Sequence, residues 1–364
     1  MNAKIESILV LGLGKVGALV ATLLYKTGFT VTGADINDRT ELPFPTHRLN
    51  STDIAAVAGL IKEHDAVVSC LPYRCNLAIA DAAWRQGTHY FDLTEDVPTT
   101  KAIIKMSASA RSILAPQCGL APGFIAIAGA SLAKQIDKIR SLKLRVGALP
   151  QHPTGLLGYA FNWSPEGVVN EYLNDCEVIE NGVHKWISPM EWTEQLVING
   201  IRLEAFSTSG GLGTMCDTYL GRIENLDYKS IRYIGHVKLM NFFFHELLMR
   251  EDRGMAGRIL TTAKPPVKED VVYIHASAEG WQKDKLRREE FVRAYYPIII
   301  NEQKWSAIAW TTAASVCAVV ELARNGFIAA KGFVKQETLL LKDFLKTHNG
   351  RLYDGKPHGG KPAS

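Results

Sequence analysis

The sequence predicts an α/β protein, with a parallel sheet wound by helices on both faces first and an α+β unit after it. Three observations carry that prediction. Short apolar runs at 8–11, 30–35, 66–71, 90–92 and 113–117 alternate with helical stretches such as 54–63 and 76–86. Strands alternating with helices build a parallel sheet covered on both faces. After Gly123 the texture changes to short strand-like segments punctuated by Asn-Gly and Glu-Gly pairs. Near the end, 312–324 is strongly apolar and stops at Asn325-Gly326, as a helix C-terminus does.

The first run, 8–11, leads into Gly12-Leu13-Gly14-Lys15-Val16-Gly17 and then an apolar-periodic helix through Leu24. The strand 30–35 ends on Asp35. Asp53 precedes the helix 54–63 and suits its N-cap, with Ser51 and Thr52 as rivals. An adenine contact from Asp53 is the equal alternative. Leu71-Pro72 closes the fourth run, at the carboxyl edge where open α/β sheets bind ligands. In the second unit 142–147, 177–179, 185–187 and 271–276 read as strands. Asn181-Gly182 and Glu279-Gly280 read as hairpin turns between them. A helix over 237–250 carries Phe242-Phe243-Phe244, taken as core or dimer packing. The expected divisions are 1–125, 126–310, a returning helical segment at 311–345, and a frayed, Gly/Lys/Pro-rich tail at 346–364.

Composition narrows the function classes. Of the 364 residues 47% are hydrophobic and 21% charged, the balance of a globular protein rather than a disordered or collagen-like one. A net charge of +4 is too slight to imply a nucleic-acid partner. No apolar run is read as reaching the roughly 18 residues of a membrane span. The first six residues lack a signal-peptide pattern, so a cytoplasmic location is expected. Six scattered cysteines, without paired or zinc-type spacing, predict neither disulfide nor metal.

Gly12, Gly14 and Gly17 sit between a strand and a helix. That spacing permits a tight turn, close approach of backbone to a pyrophosphate, and close helix–strand packing. The helix start, at Lys15 and Val16, then offers free N–H groups to phosphate. Asp35 lies 18 residues after Gly17, where a carboxylate accepts hydrogen bonds from ribose hydroxyls and repels a 2′-phosphate. NAD is therefore the expected cofactor. Arg39 keeps NADP open as the alternative. Leu71 and Pro72 are expected against the nicotinamide half.

Taken together, GLGKVG, VVSCLPY, HYFDLTED, GLAPG, VGALPQHPTGLLGYAFNWSPEGVVNEY, LEAFSTSGGLGT, SIRYIGH and WTTAAS resemble the saccharopine dehydrogenase family, which includes lysine 6-dehydrogenases. The resemblance implies a Rossmann-type domain with an inserted α+β substrate and dimerisation domain, the last helix returning to the first domain. It implies a homodimer that oxidises an amino-acid C–N bond with NAD(P). It also implies site residues. Arg232 would grip a substrate carboxylate with its planar fork of donors, the alternative being a structural salt bridge. Trp163 would line the pocket or else sit in the core. His236 would act as base or orient a carboxylate, against a hydrogen-bonded interdomain role. Thr94 would bond the substrate, Glu204 would neutralise its ammonium or else be a strand-surface carboxylate, and Thr312 would meet its carboxylate or cap the returning helix.

One residue departs from the family pattern. Saccharopine-cleaving members commonly read GLDPG where this chain has Ala121 in GLAPG, a form closer to the lysine 6-dehydrogenase branch. Saccharopine oxidation to glutamate and 2-aminoadipate 6-semialdehyde is the leading expectation. Oxidation of the lysine ε-amine is the alternative, and a non-catalytic dinucleotide-binding sensor is the alternative of another class.

Overall fold

The computed structural model describes residues 4–355, so 356–364 of the expected tail lie outside the described residues. In chain order the first elements are β1 (Ser7–Leu11), α1 (Lys15–Lys26), β2 (Thr30–Asp35), β3 (Thr46–Arg48), α2 (Ile54–Ile61), β4 (Ala66–Ser69), α3 (Tyr73–Gln86), β5 (His89–Asp92), α4 (Val97–Ser107) and β6 (Ile113–Ala115). The strands β1, β4 and β6 are almost wholly apolar because helices cover both faces: Ile8, Leu9, Val10, Val67 and Val68 are fully buried. Every pairing among them is parallel.

The second unit runs through α5 (Phe124–Ala133), β7 (Lys138–Pro150), α6 (Pro165–Leu173), β8 (Cys176–Glu180), β9 (Val183–Ile187), β10 (Glu194–Ile198), β11 (Ile201–Ser207), α7 (Met215–Tyr219), β12 (Asn225–Tyr233), α8 (His236–Asn241), α9 (Arg253–Ala263), β13 (Asp270–Gln282) and β14 (Lys285–Tyr295). Its main sheet has the order β10-β11-β12-β7-β13-β14, mixed because β12 and β7 are parallel. Buried charges stitch its centre. Arg145 on β7 bonds Asp227 on β12 at 2.7 Å and also pairs with Glu194 on β10. Burial alone would raise the Glu194 carboxyl, but Arg145 and Lys229 more than offset it and hold it at about 2.

The chain then forms β15 (Ile298–Ile300), β16 (Gln303–Trp305), α10 (Ala307–Arg324), β17 (Gly332–Phe333) and α11 (Leu341–Phe344). With β17 beside β6, the first sheet has seven strands in the order β17-β6-β5-β4-β1-β2-β3. Helix α10 packs against α1, and Arg324 lies 3.9 Å over the Phe29 ring. The chain thus returns to the first domain with a strand as well as a helix.

Four sequence expectations change. Asn181-Gly182 does turn a hairpin between β8 and β9, both residues at positive φ. Glu279-Gly280 does not turn: it lies inside β13 at a register shift against β7, and the turn falls at Lys283-Asp284. A Cβ at Gly280 would stand 2.2 Å from the Lys138 carbonyl oxygen, so the glycine serves strand approach. The helix expected over 237–250 breaks into α8, a π-type turn at Phe242–Glu246 and a short 3-10 turn. The tail expected from 346 is part of the core as far as Tyr353, which is 1% exposed and stacks on Phe124 at 3.8 Å. Finally, α10 starts at Ala307 and so is long and apolar enough to pass for a membrane span, although 83% of it is buried inside the fold.

Candidate active site

The loop after β1 is shaped for close approach. Gly12 has φ +84°, and a Cβ at Gly17 would lie 1.8 Å from the Gly12 carbonyl oxygen. At Gly14 a Cβ would meet nothing within 4 Å, so that side of the turn is open. No side chain caps the start of α1, where Gly14 is the N-cap. An open glycine turn ending in uncapped N–H groups fits the pyrophosphate of a dinucleotide. Asp35 faces the same turn: its Oδ2 accepts from the Leu13 N–H at 2.7 Å, and its Oδ1 accepts from the Asn37 N–H at 2.9 Å. Arg39 donates to the Leu13 carbonyl, so both charges meet at the turn's second residue.

This turn forms one wall of a cleft of about 620 Å³ between the two sheets. Gly14, Lys15, Val16 and Gly17 line it, together with Leu71 and Pro72 after β4 and Gly119-Leu120-Ala121 before α5. The opposite wall comes from Gly147 on β7, Tyr228, Ser230 and Arg232 on β12, and Trp163 and Glu171 around α6. Thr312 of the returning helix also lines it. Trp163 is seated against Gly167, where a Cβ would stand 2.5 Å from its ring. Arg232, Trp163 and Thr312, 69 to 149 residues apart in sequence, therefore share the cleft with the glycine turn.

Arg232 is held by a relay. Its Nε donates to the Tyr172 hydroxyl at 2.7 Å, and one Nη donates to the Ile231 carbonyl at 2.8 Å. The His236 Nδ1 lies 3.0 Å from the Leu157 carbonyl, which only accepts, so Nδ1 carries the proton. Its bare Nε2 then accepts from the Tyr172 hydroxyl at 3.0 Å. The guanidinium also lies 4.7 Å over the Tyr159 ring and 5.5 Å over that of Tyr172. No carboxylate lies within ion-pair distance of Arg232 among the described residues, so the charge is positioned yet left without a counter-ion.

Four expected site residues lie elsewhere. His236, 1% exposed, stands behind Arg232 instead of lining the cleft; burial, assisted by the Arg232 charge, pushes its pKa down to about 3. It is a neutral support for Tyr172, not a base facing substrate. Thr94 is buried in the turn before α4, where its N–H donates to Asp92 and its hydroxyl accepts from the Asp96 N–H. The turn directs its neighbours Leu93 and Glu95 into the cleft. Glu204 accepts from the Gly235 and Val237 N–H groups at 2.9 and 2.7 Å, so its carboxylate is spent at the start of α8. Asp53 is the N-cap of α2, bonding the Ala56 N–H at 3.0 Å, and does not line the cleft.

Sequence reasoning also missed two groups. Glu171 is 7% exposed and lines the cleft; burial raises it to about 8, against the pull of Arg232. Glu95 is raised by burial to about 7, with Asp96, Asp92 and Glu166 adding to the shift. The segment HYFDLTED carries it just after β5, but the turn that sets it in the cleft is not legible in the sequence. Away from the cleft, Glu177, His184 and Cys216 bring ligand atoms within 4.8 Å of one another, beyond what spacing in the sequence could signal. The Lys101 ammonium stands 3.4 Å from that same Glu177 carboxylate and competes for it.

Known proteins agree with this architecture. Residues 8–115 match the family model of the saccharopine dehydrogenase NADP binding domain, and 119–353 that of the saccharopine dehydrogenase C-terminal domain. The saccharopine dehydrogenase [NADP(+), L-glutamate-forming] of Schizosaccharomyces pombe is 28% identical over 37% of this chain and 31% of its own length. The mitochondrial alpha-aminoadipic semialdehyde synthase of Mus musculus is 23% identical over 65% of this chain and 28% of its own. The chain thus spans less than a third of either relative. In three dimensions it is similar to the L-Glu-forming saccharopine dehydrogenase of Saccharomyces cerevisiae, with a TM-score of 0.69 at 17% identity, over 93% of this chain and 95% of that one. The chain belongs to the saccharopine dehydrogenase family.

Proposed function

We propose that this member of the saccharopine dehydrogenase family is a dehydrogenase that oxidises an amino-acid C–N bond, with saccharopine as the first substrate and glutamate and 2-aminoadipate 6-semialdehyde as products. One observation carries the reading: an unpaired, positioned Arg232 faces the glycine turn across a single cleft. A bound nicotinamide dinucleotide supplies the hydride acceptor. The chain's own residues do the rest. The turn and the start of α1 hold the pyrophosphate, and Leu71 and Pro72 flank the reacting end. Arg232 fixes a substrate carboxylate, Trp163 covers the aliphatic arm, and Thr312 lines the cleft with them.

Asp35 supports NAD as the preferred dinucleotide, because its carboxylate stands at the end of β2 where a 2′-phosphate would be repelled. The family model and the fission-yeast relative, both described with NADP, support the alternative. A second reading, lysine ε-amine oxidation, is favoured by Ala121, an apolar residue at the cleft wall. Absorbance of the reduced dinucleotide, measured with saccharopine, lysine, ornithine and carboxynorspermidine against both dinucleotides, tests all of this. Saccharopine with NAD should give the highest kcat/KM. Lysine as the sole substrate would install the second reading, and dinucleotide binding without turnover of any amine would favour a sensor.

A further inference from the structure

The cleft adjoins a second cavity of about 490 Å³, bounded by Lys101, Asn170, Asn174 and Trp186, and Glu95 and Glu171 line both spaces. Glu171 is nine-tenths buried, and no hydrogen bond or ion pair holds its carboxyl among the described residues. The side chain is packed into the fold while its carboxyl keeps access to the cleft and is open to a ligand. The titratable and charged groups near it are Glu95 from the turn before α4, Arg232 and Tyr228 from β12, Tyr159 and Tyr172 beside the relay, and Cys176 at the start of β8. Arg232 is near enough to oppose the upward shift of Glu171, yet no ion pair joins them. A cationic fork and a carboxyl pair held apart in one cleft match a molecule that carries both charges close together.

We propose that Glu171, with Glu95 beside it, is the ammonium-recognising half of the substrate site: the substrate end seated on Arg232 is an α-amino acid, its carboxylate on the guanidinium and its ammonium on Glu171. The inference rests on reading the cleft as the substrate site. It makes Glu171 the residue that separates amino acids from carboxylic acids of the same length. Glu95 shares the charge, and Trp163 and the second cavity leave room for the remainder of the ligand. Because Glu171 lies near neutrality when the site is empty, seating an ammonium on it expels a proton.

Titration calorimetry on the full chain with dinucleotide present tests this, using L-glutamate and L-2-aminoadipate beside their desamino counterparts glutarate and adipate. Wild type should prefer each amino acid by roughly ten- to a hundredfold, the worth of a charge-assisted hydrogen bond. Glu171→Gln should abolish the preference by weakening the amino acids alone, and Glu171→Asp should restore part of it. Binding enthalpies in buffers of different ionisation heat should show proton release near pH 7.5 in wild type and none in Glu171→Gln. Equal affinity for amino and desamino ligands in wild type, no binding of either, or an unchanged preference in Glu171→Gln would each overturn the proposal. So would a Glu171→Gln variant that loses turnover with its ligand preference intact, which would make Glu171 a base. If no amine reduces the dinucleotide but the preference follows Glu171, the dehydrogenase reading fails and this one stands.

Discussion

Replacing Arg232 separates a substrate anchor from a structural charge. In the fold its Nε is committed to Tyr172 and one Nη to the Ile231 carbonyl, so the remaining edge of the fork serves the cleft. Arg232→Ala removes the anchor and leaves the Tyr172 hydroxyl and the substrate carboxylate without their donor. Removing one member of a desolvated charge pair costs about 2–5 kcal/mol, hence roughly thirtyfold to several thousandfold in kcat/KM. Arg232→Lys keeps a charge, but a single ammonium cannot bond Tyr172, Ile231 and a carboxylate in one plane, so its loss should be intermediate. The assay is steady-state formation of reduced dinucleotide with saccharopine, beside dinucleotide titration and a thermal melt of each variant. Dinucleotide affinity should barely change, since the glycine turn is on the far wall. If contact is equal in ground and transition states the loss appears in KM; if Arg232 also aligns the reacting carbon, kcat falls too. A folded Arg232→Ala variant with near-normal kcat/KM would refute the anchor.

Three further outcomes are expected. Asp35→Ala should weaken NAD by about 1.5–3 kcal/mol and narrow the preference against NADP, measured by direct titration; wild type that prefers NADP would remove the ribose role from Asp35. Gly17→Ala should abolish dinucleotide binding, because the added carbon overlaps the Gly12 carbonyl; a variant that folds and titrates normally would show the turn is not the cradle. His236 is neutral in the fold down to about pH 3 but protonates near 6.5 when unfolded, so the unfolded chain binds the extra proton between those values. That contribution to stability is fully present above pH 6.5 and declines as pH falls below it, by on the order of 1 kcal/mol per pH unit. Urea unfolding from pH 7 to 4 should therefore be less acid-sensitive in His236→Gln, and parallel curves would show the histidine is already charged in the fold.

Local signals determined much of this protein. Alternating apolar runs and helices specify a parallel sheet because strands covered on both faces must be apolar throughout, and the glycine spacing marks a turn whose backbone geometry is set within six residues. Asn181-Gly182 placed its hairpin for the same reason, that positive φ is a property of the residues themselves. Where the outcome depended on what another segment brought near, the sequence was silent or misleading. Glu279-Gly280 looks like a turn, yet the long β7 strand beside it makes the glycine a point of close approach. Glu204 and His236 look like chemistry, but β11 and α8 meet so that one carboxylate is consumed at a helix start and the imidazole is sealed behind Tyr172. Glu171 looks like one more polar residue of an amphipathic helix. Only the packing around α6 buries most of its side chain, leaves its carboxyl without a partner among the described residues and sets it in the cleft with Arg232, because burial and electrostatic coupling belong to the assembled surroundings and not to the residue.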